Sequence, residues 1–81
     1  MHPEYLVRMA NDIASFFAAE PDKGEAARSV QAHIKRYWDP RMRAQIIAHY
    51  RAGGEGLEGI VRTAVAALAD EAAAKQVQSG T

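Results

Sequence analysis

HIKRYWDPRMR, running from His33 to Arg43, decides how this chain folds. Its centre is Trp38-Asp39-Pro40. A residue before proline is pushed out of the α region, so a helix arriving from His33 must stop here. Proline is also well suited to a first helical position, where the missing N–H costs nothing and φ is already set. Asp39 then stands as the N-cap of a new helix, its carboxylate free to accept from the orphan N–H groups of the first turn. One helix ends and another begins within three residues.

Working outward, apolar residues recur at three- and four-residue steps on both sides of this junction. Leu6, Met9, Ala10, Ile13, Phe16 and Phe17 form one stripe, and Ala27, Val30, Ile34 and Tyr37 or Trp38 form a second. Met42, Ile46, Ile47 and Tyr50 make a third, and Leu57, Ile60, Val61, Ala64, Val65 and Leu68 a fourth. No segment alternates with period two, so no strands are predicted. Pro3 suits a first helical turn, and Asp22 with Glu25 has capping-box spacing, weakened by Gly24. AGGEG (Ala52 to Gly56) breaks the third stripe and offers Gly53 or Gly54 for a left-handed C-terminal cap. The pattern predicts an all-α domain over 1–81, a small compact helical bundle of three main helices plus a C-terminal fourth helix. Its ordered part spans about 3–70, with a frayed, alanine-rich then polar tail over 72–81. Short connections favour consecutive helices packed on one another.

Eighty-one residues make one domain, whose stability is expected to be about 4–12 kcal/mol at the usual per-residue value. There is no cysteine, which rules out a disulfide, a thiolate nucleophile and a Cys-based metal site and is compatible with a reducing cytoplasm. Formal charge is zero but unevenly spread. Residues 33–51 hold five of the ten cations and one acid, so this stretch is +4 and the remainder −4. Overall balance argues against a generic polyanion binder. Glu4, Arg8 and Asp12 interrupt the first apolar stripe, so it does not read as a signal peptide, and no apolar run approaches the roughly 20 residues needed to span a bilayer.

Several residues invite a chemical reading that their surroundings do not support. Ser29 and His33 are four apart, but a nucleophile and base also need an orienting carboxylate and an oxyanion hole. His2, His33 and His49 lack metal-ligand spacing. GGEG follows a helix and has neither the lysine nor the hydroxyl of a phosphate loop, so it reads as a turn and cap. The pairs Glu4–Arg8, Glu58–Arg62 and Glu71–Lys75 have the favourable i, i+4 order, each worth about 0.2–0.5 kcal/mol. With no convergent catalytic set, the chain is not read as an enzyme by itself.

What remains is the basic-aromatic junction. Trp, Tyr and Arg are the residue types enriched at binding hot spots, and an apolar anchor with a charged rim is the usual anatomy of an interface. Arg36, Tyr37, Trp38, Arg41 and Arg43 are therefore the candidate partner interface. The spacing leaves two roles open for Trp38, an anchor for a partner and a plug for the end of the bundle, and the two are not exclusive. On the anchor reading, Trp38→Ala or Arg41→Glu weakens association and leaves helicity largely intact. The alternative is a helix-turn-helix-like nucleic-acid binder using the basic 35–51 segment and presenting Arg41, Arg43 and Gln45 to bases. It predicts salt-sensitive binding to DNA.

Three stretches, LVRMANDIASFF (Leu6 to Phe17), HIKRYWDPRMR (His33 to Arg43) and GGEGLEGIVRTAVAAL (Gly53 to Leu68), resemble in order and spacing the delta subunit of soluble NAD-dependent formate dehydrogenases. The middle stretch is the most specific of the three. The resemblance implies a small accessory subunit of a cytoplasmic bacterial complex, acting in its assembly, maturation or stability. In such a complex the larger formate dehydrogenase subunits carry a molybdenum or tungsten pterin, iron–sulfur clusters and flavin, and this chain holds no cofactor of its own. The family supplies no catalytic residue to carry over. The resemblance favours docking on those subunits over nucleic acid, with a homodimer as an option for the isolated chain.

Overall fold

The structure is a computed structural model that describes residues 2–79, with side chains described through Lys75. Four helices follow one another: α1 (Pro3–Phe17), α2 (Lys23–Tyr37), α3 (Pro40–Arg51) and α4 (Gly59–Ser79). There is no strand among the described residues. The molecule measures 42 × 27 × 23 Å.

The helix boundaries have the local causes read from the sequence. The Asp39 carboxylate accepts from the Met42 N–H at 2.9 Å with Pro40 at the first helical position, and Asp22 accepts from the Glu25 N–H at 3.1 Å. The reciprocal half of the capping box does not form. Glu20 takes the Asp22 N–H at 3.1 Å, and Glu25 instead pairs with Arg28 at 2.7 Å. At the end of α3, the Gly54 N–H donates to the His49 carbonyl at 2.9 Å and the Gly53 N–H to that of Tyr50 at 3.0 Å. This is a Schellman closure, and both glycines have positive φ (123° and 66°), which residues with a Cβ rarely adopt.

The core is built from the four predicted stripes. Leu6, Val30, Ile34, Ile46, Val61 and Val65 are its largest fully buried side chains, with Trp38, Leu57 and Leu68 in the same cluster. Helix α4 packs on both α2 and α3, and α1 packs on the other three helices. The consecutive helices α2 and α3 make the least contact with each other, contrary to the expectation from their short connection. Only Trp38 and Asp39 join them, and both have extended backbone. The chain therefore turns a corner instead of folding back. Of the adjacent phenylalanines, Phe17 packs against the core and Phe16 is 86% exposed.

Helix α4 extends into the segment that the sequence expects to fray. Ala72 packs against the core, and the α4 backbone is helical as far as Ser79, over a stretch rich in alanine, the strongest helix former. Residues 80 and 81 of the expected frayed tail lie outside the described residues.

Candidate docking site at the α2–α3 corner

The five residues singled out in the sequence all lie at the corner, but they do not share one role there. Trp38 turns inward. It is 5% exposed and belongs to the core cluster, so of the two roles left open the structure gives it the plug. The expectation that Trp38→Ala leaves helicity intact is corrected accordingly. Removing a buried tryptophan costs about 3–5 kcal/mol, a large part of the stability of so small a chain.

Arg43 is half-buried and faces back toward α2. Its guanidinium donates to the Lys35 carbonyl at 3.3 Å and, at shorter range, to the Trp38 carbonyl. The last carbonyls of any helix lack partners within it. Arg43 satisfies such groups at the end of α2 and braces the corner.

Arg36, Tyr37 and Arg41 face solvent. Tyr37 is 66% exposed. The Arg36 guanidinium lies over it at 5.6 Å, and the half-buried His33 ring sits 4.6 Å from it, tilted by 44°. The ring is thus flanked on its own helix by one cation and one imidazole. Arg41, at the start of α3, is exposed and makes no hydrogen bond or ion pair among the described residues. Asp39 lies between these cations in sequence, but its carboxylate is engaged in the N-cap of α3.

Chemistry other than docking finds little support. His33 of the Ser29–His33 pair packs against Tyr37, and among the described residues no three His, Cys, Asp or Glu side chains gather as metal ligands. Of the residues a recognition helix would present, Arg41 is exposed, whereas Arg43 and Gln45 are half-buried and Arg43 is bonded to α2. Among the described residues no helix is long and apolar enough to cross a membrane.

Two residues make contacts that i, i+4 spacing does not announce. Arg62 does not settle on Glu58. Its guanidinium donates to the carbonyls of Gly53 (3.0 Å), Gly54 (3.0 Å) and Leu57 (3.2 Å), and lies 5.9 Å from the centre of the Tyr50 ring. Glu71 reaches across to α2, pairing with Lys35 at 3.2 Å and accepting from Gln31 at 2.8 Å. No local signal announces either contact, because an i, i+4 spacing only says which side chains can meet. A glycine-rich loop ahead of an arginine was the one available hint for Arg62.

The family model described as "NADH-dependant formate dehydrogenase delta subunit FdsD" matches residues 5–65, which include the whole corner and the loop that Arg62 holds. No curated protein and no solved structure gives a significant match. With the family model covering well over half of its length, the chain belongs to the delta-subunit family of NAD-dependent formate dehydrogenase.

Proposed function

We propose that the chain is a non-catalytic accessory subunit of a cytoplasmic NAD-dependent formate dehydrogenase, acting through protein–protein contacts that support assembly, maturation or stability of the complex. The observation that carries this reading is the family match over residues 5–65. The larger subunits supply the molybdenum or tungsten pterin, the iron–sulfur clusters and the flavin that the oxidation of formate requires. The docking face is the α2–α3 corner. Arg36, Tyr37 and Arg41 make the contact, while Trp38 and Arg43 hold the corner in shape from behind. Exposed tyrosine and arginine side chains are residue types enriched at binding hot spots.

The test is recovery of partners by a tagged chain from a host expressing the dehydrogenase, at moderate salt. Stoichiometric recovery of the larger subunits is the result expected for a permanent subunit, and sub-stoichiometric recovery of the apo catalytic subunit for an assembly factor. Absence of every dehydrogenase subunit from the eluate, with the enzyme demonstrably present in the lysate, contradicts the proposal.

A further inference from the structure

The cations of this chain divide sharply by what they touch. Lys23 donates to the carbonyls of Ala18 (2.9 Å) and Glu20 (3.0 Å), at the end of α1. Arg28 pairs with Glu25 and Lys35 with Glu71. Arg43 and Arg62 bind loop and helix-end carbonyls, and Arg51 donates to the Ala69 carbonyl at 3.3 Å. Lys75 also has an interaction within the chain. Only Arg8, Arg36 and Arg41 have no acid or carbonyl partner among the described residues. Two of these three, Arg36 and Arg41, stand on either side of the α2–α3 junction, Arg36 over the exposed Tyr37 ring, and the acid between them in sequence is engaged in a helix cap.

We infer that the corner docks on a carboxylate-bearing surface of a larger dehydrogenase subunit, with Arg36 and Arg41 each taking an acidic side chain and Tyr37 adding an aromatic contact beside Arg36. This inference rests on the proposed function and names the chemistry of its partner. Guanidinium groups suit the role because they meet carboxylates through two parallel hydrogen bonds, and opposite charge both steers encounter and fixes register. Tyr37 suits such a contact, because Arg36 and His33 already limit its motion and less freedom is lost on binding. The cations engaged internally stay out of the interface. The contact therefore depends on Arg36 and Arg41 and is indifferent to the charges of Lys23, Arg28 and Arg51.

The experiment uses the full chain co-expressed with the larger subunits. Wild type, R36E/R41E and, as a control, K23Q/R28Q are compared by titration of binding at two salt concentrations, with thermal melting of each chain alone. The expected result is that R36E/R41E melts like wild type, binds at least about tenfold more weakly and loses most of the salt dependence, while the control matches wild type. In the complex of the R41K chain, a zero-length carbodiimide is expected to link the introduced amine to an aspartate or glutamate of a larger subunit. If wild type binds the dehydrogenase and R36E/R41E binds equally well, the docking chemistry is wrong and the subunit assignment stands. Linkage of that amine only to carboxylates of its own chain overturns the inference as well. So does Arg36- and Arg41-dependent binding to duplex DNA with the dehydrogenase contact unaffected. If wild type recovers no dehydrogenase subunit, the functional reading itself falls.

Discussion

The two connections on either side of α3 solve the same problem in opposite ways. The α2–α3 link is two residues long and is fixed by its own sequence: a helix-stopping proline, an aspartate cap on Met42 and a tryptophan driven into the core. The α3–α4 link, Ala52 to Glu58, carries three glycines and would be mobile on composition alone. It is held from three other elements. Arg62 of α4 binds its carbonyls, His49 of α3 hydrogen-bonds to the Glu55 carbonyl at 2.7 Å, and the Asn11 amide of α1 reaches the Gly56 carbonyl at 3.4 Å. Gly56 lets that loop pass close to α1, since a Cβ there would meet Val7 at 3.1 Å. Local chemistry shapes one connection, and tertiary contact shapes the other.

Three substitutions test that contrast, from the largest effect to the smallest. Trp38→Ala should cost about 3–5 kcal/mol, a large part of the chain's stability, and lower the melting temperature of the isolated chain more than either of the other two, read by circular dichroism. A near-native melt would return Trp38 to the surface. Arg62→Met should cost about 1–3 kcal/mol, because three loop carbonyls lose their charged donor. Hydrogen exchange should quicken at residues 53–57 and stay unchanged at the corner. Asp39→Ala should cost about 1 kcal/mol, a drop of roughly 4–8 °C in melting temperature for a domain of this size, with the loop unaffected. Loss of loop protection in that variant would mean the two connections are coupled.

The same contrast explains what the sequence could reveal. Stripes, caps and the proline junction are encoded within a few residues of where they act, so the four helices and the α2–α3 boundary are legible in the sequence, while the extent of α4 is not. Adjacent residues on a helix point about 100° apart, so Phe16 and Phe17 cannot both face the centre of the stripe, but only the packing assigns Phe17 to the core. Residue type alone marks the corner as a candidate interface. Its division into a buried brace and an exposed face depends on which way Trp38 and Arg43 turn. Arg43 turns inward because helix α2 ends in carbonyls that need donors, a demand arising only once both helices exist. Arg62 leaves its local pair, and Glu71 reaches beyond its own helix, for a related reason. A buried-edge carbonyl or a cation on a neighbouring helix competes with the i, i+4 partner, and spacing says nothing about that competitor.

The central claim is that the corner is stable without a partner and offers one exposed side to bind it. Tyr37→Ala tests it most directly, because that ring is exposed, flanked by Arg36 and His33, and outside the core. The account predicts that this variant melts within a few degrees of wild type yet fails to retain the larger dehydrogenase subunits through a moderate-salt wash. A variant that retains them in full, or one that unfolds on its own, would contradict it.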